Sequence, residues 1–598
     1  MKPQLVLSLV CLAWLACGRP SEDLQAARTV ADDRFEALGA RYVDEVPAFS
    51  PVSATFLGDH RYDGELDRVT PESRQERTAF LESVLDELRA IDLSNLSRAN
   101  QVDALLLENA LEFELWRADV LQEWAWNPTV YTALSGGALY SLLARDYAPV
   151  EERLLHAAAR LEQFPRLFEE IRATLEPARV PKVHAETAIS QNSGVHSILD
   201  NQVLPYLDRL GDEERARLER AMETGRAAVD QHQEWLENEL LPAAQGDFRI
   251  GTELFDTKLG FTLQSAMDRA EIRRRAEERM ALVRSQMYEL SRGLLAEEDP
   301  GLVHPDEPSD DERQAVIEAA LELVYRERPE RGGLVDRATE SLERATAFAR
   351  AKKIVTVPET PVEIIIMPEF RRGVSLAYCD APGPLDAEQP TFYALSPLPE
   401  DWTPEQDASF LREYNDRSIE VLTIHEAVPG HYLQIAHANA YPSVLRALLS
   451  SGPFVEGWAV YSEGVMQRQG YLDGDPAFHL ILLKWYLRDI ANAILDQAIH
   501  TEGMTRDEAM ELMTAMAFQE EREAAGKWVR AQLTSAQLST YFVGFLEHGD
   551  LRAEVERAEG AAFDLQRHHD RVLSFGAPPV HYVRALMLDL PITRPGES

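Results

Sequence analysis

Apolar residues recur three and four positions apart, with charges between them, over most of the first half of the chain. The pattern runs through 31–45, 71–91, 99–123, 150–175 and 212–239. Such spacing predicts amphipathic helices. Pro71 with Glu72 marks a helix start, prolines at 128, 149, 165, 177, 181 and 205 punctuate the runs, and Gly136-Gly137 predicts a turn. Gly246, Gly251 and Gly260 turn the stretch 240–260 into an expected loop, followed by a long charged helix over 263–295. The acidic, proline-bearing stretch 297–312 reads as a linker between two lobes. Helical spacing returns over 334–351, but 354–367, 376–378 and 391–395 are rich in β-branched and aromatic residues. These predict a small sheet just ahead of a helix that begins near 413. An exposed edge of that sheet suits an extended peptide added as a further strand, or the sheet is purely structural. More helices are expected over 480–500, 505–525, 528–544, 550–559 and 563–573, with a last apolar segment to 590. The expectation is a mainly α, multi-helix fold with one small β-sheet. It divides into a helical lobe over 18–300 and a second lobe over 301–598.

One stretch carries chemistry: His425-Glu426-Ala427-Val428-Pro429-Gly430-His431. In a plain H-E-x-x-H helix the two histidines are four apart, a rotation of about 400°, so both imidazoles share one face and one Zn²⁺. Here His431 follows His425 by six residues, a rotation of about 600° that leaves the rings roughly 120° apart on a regular helix. Pro429 lacks an N–H and Gly430 tolerates unusual dihedrals. Together they predict a local bulge or widened turn that brings His431 back beside His425. Glu426 is not needed as a ligand and is placed to act as general base toward water at the metal. Further on, Phe454-Val455-Glu456-Gly457-Trp458-Ala459 is similar to the segment that donates the carboxylate ligand in glutamate-zincins, which makes Glu456 the third ligand. Two imidazoles and one carboxylate leave a fourth position for water, the arrangement of a catalytic zinc site. Glu463 lies near the same helical face and reads as a support for the ligands or as solvent-exposed. His437 reads as a surface histidine.

With Gln434 following, the H-E-x-x-P-G-H run resembles the bacterial domain of unknown function 885 family, whose members are similar to glutamate-zincin metallopeptidases. The resemblance extends to Leu241-Pro242 through Gly251, Glu456-Gly457-Trp458-Ala459, Asp496 with His500, and Tyr541-Phe542-Val543-Gly544. It ends at His569-Asp570 and Gly576-Ala577-Pro578-Pro579. It implies a glutamate-zincin-like fold, Zn²⁺ held by His425, His431 and Glu456, and Glu426 as the base. It also implies that Tyr541, His500 and His569 line the cleft, where a phenol or imidazole can face a developing oxyanion. The chain departs from the family pattern at three places. Ser535-Ala536-Gln537 stands where Pro-Gly-Gln is usual, Lys527 replaces an acid, and His568 replaces an aromatic residue.

Charge narrows the partners. The 598-residue chain has a formal net charge of −41, a surface that repels phosphate backbones and argues against nucleic acid. Lys2, the apolar run from Leu5 to Ala16 and Cys17-Gly18-Arg19 read as a secretion signal over 1–17. That run is too short to span a bilayer. Leu15-Ala16-Cys17 is similar to a bacterial lipoprotein box, although Trp14 stands where leucine is usual. A lipidated Cys17 would tether the protein to a membrane in the cell envelope; the alternative is a soluble secreted protein. The three cysteines are Cys11, Cys17 and Cys379. Loss of Cys11 and lipidation of Cys17 leave Cys379 alone, so no internal disulfide is expected, and Cys379 reads as a small packed residue. The functional expectation is a zinc hydrolase, foremost a metallopeptidase acting on peptides or related amides. The alternatives are a zinc hydrolase of a non-peptide amide or ester, and a lipid-anchored binding protein with an idle metal site.

Overall fold

The computed structural model describes residues 22–360, 362–368, 377–399 and 402–596. The expected signal run and Cys17 lie outside the described residues. The amphipathic stripes of the first half close helix on helix. Thr129–Leu143, Val150–Leu161, Phe164–Thr174 and Asp212–Trp235 bury Leu139, Leu161, Phe164, Phe168, Leu218 and Val229 in one core. The run expected over 150–175 is two helices, because Pro165 starts a new first turn where its missing N–H is harmless. Gly136-Gly137 makes no turn: both lie inside Thr129–Leu143. A Cβ on Gly137 would sit 3.2 Å from the Phe56 ring, so the glycine serves packing there.

The second half is built around one larger hydrophobic cluster that begins at Phe255 and ends at Met587. Residues on both sides of the lobe boundary expected at 300 belong to this cluster. Helix Gly251–Leu263 occupies part of the expected loop, and it enters this core with Arg269–Glu298 through Phe255, Leu259, Ile272, Met280 and Met287. Their apolar faces find partners in Pro476–Thr501, against which Arg269–Glu298 packs. The proline-bearing stretch after Glu298 connects helices Arg269–Glu298 and Asp310–Val324, both of which contribute to this core. A fully buried Arg446 ties the two halves together. It pairs with Asp103 and donates to the carbonyls of Ala99 (2.7 Å) and Phe575 (3.1 Å).

The expected sheet is present with three strands: β1 (Val362–Ile366), β2 (Ala377–Asp380) and β3 (Thr391–Leu395), in the order β1-β3-β2. β1 runs parallel to β3 and β2 antiparallel, with Val362 opposite Thr391 and Ala377 opposite Leu395. The central strand is buried throughout and backs onto the metal helix, where Tyr393 meets Thr423. Two expected helices are broken. The 505–525 run stops after Met516 and restarts as Glu521–Leu533, and the 528–544 run stops at Leu533 and restarts as Ser539–Glu559. Asp496 holds the second break open by accepting hydrogen bonds from the Ala536 and Ser539 amides (2.9 and 3.0 Å). Ala536 adopts φ +64°, a left-handed conformation that glycine takes more readily. The fold is thus mainly helical with one small sheet. No helix among the described residues is long and apolar enough to cross a membrane.

Candidate metal centre

The helix that carries the motif, Asp416–Glu426, starts where the Asn415 side chain accepts from the Arg417 and Ser418 amides. It is buried from Ser418 to its end, so Glu420, Thr423, His425 and Glu426 are polar groups held inside the protein. The structure corrects the expected bulge. The helix stops at Glu426, Ala427 leaves it at φ −120°, ψ −90°, the Val428–Pro429 peptide is cis, and a new helix begins at His431. Gly430 folds back so tightly that a Cβ there would lie 1.9 Å from the His425 carbonyl oxygen. Trp458 Nε1 donates to the Pro429 carbonyl at 2.8 Å and pins the reversal. The outcome is the one the chemistry needs: the His425 and His431 rings are 4.7 Å apart and nearly perpendicular.

Glu456 arrives from the helix Gly452–Arg468. Its Oε2 lies 3.2 Å from His431 Nε2 and 3.7 Å from His425 Nε2. An ion with tetrahedral bonds of about 2.1 Å holds its ligand atoms about 3.4 Å apart, so these separations suit zinc. Glu456 Oε2 is also buried, and the two imidazoles are its nearest polar neighbours among the described residues. His425 Nδ1 donates to Glu463 Oε1 at 2.7 Å, which leaves Nε2 turned toward Glu456. Glu463 therefore stands behind His425 and is buried rather than solvent-exposed. Burial opposes charge on His425, yet Glu456 and Glu463 overcome it and push the imidazole well above its usual range. Burial also opposes charge on Glu456, but the two histidines hold it well below the usual carboxylate range. The trio is thus a negatively biased pocket, to which a cation or a proton must come.

These groups open on a cavity of about 380 Å³. Glu426 lines it and makes no hydrogen bond to another described residue. Tyr541 lines it too, with its ring 6.4 Å from that of His425 and its hydroxyl accepting from Arg530 Nη2 at 3.1 Å. Burial and the Glu456 charge raise its pKa, so the phenol stays a donor. Tyr541 comes this close because helices Gly452–Arg468 and Ser539–Glu559 touch backbone to backbone. A Cβ on Gly457 would lie 2.4 Å from Gly544 Cα. Cys379 also borders the cavity, and burial with the nearby Glu426 pushes its thiol well above the ordinary range, unlike a nucleophile.

His500 and His569 do not line the cavity, contrary to what the resemblance implied. His500 Nε2 donates to the carbonyls of Thr534 (2.8 Å) and Ala531 (3.1 Å) and, beside Asp496, fastens the break between the last two site helices. His569 donates from Nδ1 to Ile354 (2.8 Å) and accepts at Nε2 from Tyr461 (2.9 Å). Both are buried structural imidazoles. His437 is turned to the Thr356 carbonyl, away from the ligands. Sequence reasoning missed Arg488, Asp489 and Asn492, which line the wall opposite the motif. A signal was available. Lys484, Arg488, Asn492, Asp496 and His500 recur every four residues on a mostly apolar helix, marking a polar stripe that faces something inside.

Comparison with known proteins places the chain in a family. The chain matches, over residues 51–587, the profile of DUF885, bacterial proteins of unknown function, and it belongs to that family. It is similar to a solved structure from Shewanella oneidensis, described as a candidate lipoprotein of unknown function. The two share 32% identity over 93% of this chain and 99% of the other, with a TM-score of 0.77. A candidate lipoprotein from Colwellia psychrerythraea shares the fold at 19% identity and TM-score 0.76, over 94% of this chain and 99% of that one. Among curated proteins none matches it significantly.

Proposed function

We propose that this protein is a zinc-dependent hydrolase, and foremost a peptidase, with a glutamate-zincin-like arrangement of its site. The observation that carries the reading is the convergence of His425, His431 and Glu456 ligand atoms within 4.8 Å of one another, beside an uncommitted Glu426. A bound Zn²⁺ supplies Lewis acidity, making water a nucleophile near neutral pH and polarising a carbonyl. Glu426 takes the proton of the attacking water and returns it to the leaving amine. Tyr541, its hydroxyl held by Arg530, is free to donate its proton to the developing oxyanion. β2 is an edge strand that borders the cavity with Ala377, Tyr378 and Cys379, which favours an extended peptide over a compact ester or amide. The Leu15-Ala16-Cys17 box and the lipoprotein descriptions of the two solved relatives support attachment to the cell envelope through Cys17.

Metal analysis of the purified protein and digestion of a mixed peptide library test the reading. Glu426→Gln should keep one zinc per chain and lose turnover by about 10²–10⁴-fold. A fully active Glu426→Gln enzyme refutes the assigned base. Stoichiometric zinc with no peptide, amide or ester cleaved points instead to a binding protein with an idle site. The uncommitted Glu426 argues against that outcome, since binding alone has no use for it.

A further inference from the structure

Two basic groups lining the cavity form no ion pair with a described residue, although the charges of Glu523 and Asp489 reach Lys527 and that of Glu456 reaches Arg530. Lys527 and Arg530 are three residues apart on helix Glu521–Leu533, so they share a face, and both line the cavity. Lys527 is only 4% exposed, and its ammonium neither hydrogen-bonds nor ion-pairs with any described residue. Arg530 uses Nη2 on two neutral partners, Gln537 Oε1 (3.0 Å) and the Tyr541 hydroxyl (3.1 Å), and has no ion pair among the described residues. The third basic group on this wall, Arg488, is already matched by Glu523 at 2.7 Å. The chain has 101 acidic residues against 60 basic ones, so two unmatched inward cations do not reflect a shortage of acids. Buried charges are normally paired, because an unpaired one loses its hydration without compensation. Burial, with Arg488 and Arg530 alongside, pushes Lys527 well below the ordinary lysine range, a bias that an entering anion reverses. Asp489 is the neighbouring acid left uncommitted. Burial and the Glu463 charge raise it to about 7, so it is a weak counter-charge.

We propose that Lys527 and Arg530 bind the free α-carboxylate of a peptide's C-terminal residue, so that the enzyme removes a short C-terminal fragment. The assignment rests on the hydrolase reading for the cleavage step but not for the binding step. Arg530 bridges the two: its guanidinium holds Tyr541, which stands over the ligands, so an anion on it lies close to the bond being cut. A cavity of about 380 Å³ accommodates a short fragment between that bond and the basic wall.

The test is a comparison of matched peptides bearing a C-terminal acid or amide. Binding is measured by calorimetry on the Glu426→Gln protein, with zinc and after chelation, and turnover on the wild type. The expected result is that amidation weakens binding about 10–100-fold, that the difference survives chelation, and that Lys527→Met abolishes it. In turnover, Lys527→Met should raise KM for the free acid. Equal binding of acid and amide by the unsubstituted cavity overturns the proposal and needs no folded Lys527 variant. Binding restored to the amide by an internal glutamate overturns the C-terminal assignment, since it transfers the anion to a side chain. A protein that prefers the acid yet lacks zinc and turnover would sink the hydrolase reading alone. Efficient cleavage of amidated peptides would sink the carboxylate site alone.

Discussion

Glu463 decides how well the ligands are aimed. Its hydrogen bond to His425 Nδ1 fixes which imidazole nitrogen faces Glu456. Removing it leaves every ligand atom in place but frees the ring to rotate and lowers its basicity. Glu463→Ala is expected to weaken zinc binding about 10–100-fold, read by competition with a chelator of known affinity. Unchanged affinity would mean that packing alone orients the ring. Residue types and spacing made His425, Glu426 and His431 legible, since few other uses require that combination. Lys527 was visible only as a departure from a family pattern. Its chemistry depends on what fails to surround it, and absence of a partner cannot be read along a chain.

At the scale of elements, the contact between helices Gly452–Arg468 and Ser539–Glu559 sets the distance from Tyr541 to the ligands. A Cβ at 544 would meet the Pro453 carbonyl oxygen at 1.8 Å, which backbone cannot yield without the helices separating. Gly544→Ala should therefore destabilise the fold by about 1–3 kcal/mol and reduce turnover. Gly549 lies in the same helix with open space where its Cβ would be, so Gly549→Ala should stabilise by up to about 1 kcal/mol. Thermal melts of the two variants separate crowding from helix propensity; equal effects would remove the contact from the argument. Helix spacing was readable wherever one face is polar. It failed at 240–260 and 528–544, where glycines mislead or where a buried Asp496 draws two backbone amides out of the helix.

For the whole molecule, burial of neutral histidines links stability to pH. His184, His548 and His568 are buried, and desolvation lowers each to about 4. In the unfolded chain each returns to about 6.5, so the unfolded state binds more protons between those values. The stability they contribute is complete above pH 6.5 and is lost as pH falls toward 4. By pH 5.5 the loss should be on the order of 1 kcal/mol per histidine. Urea unfolding between pH 7 and 5 checks this before most carboxylates titrate; a flat profile there would contradict it. His548→Gln should make the profile shallower.

The sequence by itself determined the helical class, the small sheet and the His425-Glu426 to His431 motif as the candidate site. Periodicity and residue chemistry are local properties, written within a few turns of chain. Only the tertiary structure decided that a helix ends at Glu426 and another begins at His431, that residues on both sides of 300 share one hydrophobic cluster, and that His500 and His569 fasten backbone away from the cavity. It alone set two cations without an ion pair on the lining of the cavity that His425, His431 and Glu456 share. These outcomes depend on which distant surfaces close over each other, through a glycine pair at 457 and 544, a tryptophan on the Pro429 carbonyl and an arginine locked onto Asp103, and such closures bring together groups whose separation along the chain carries no trace of it.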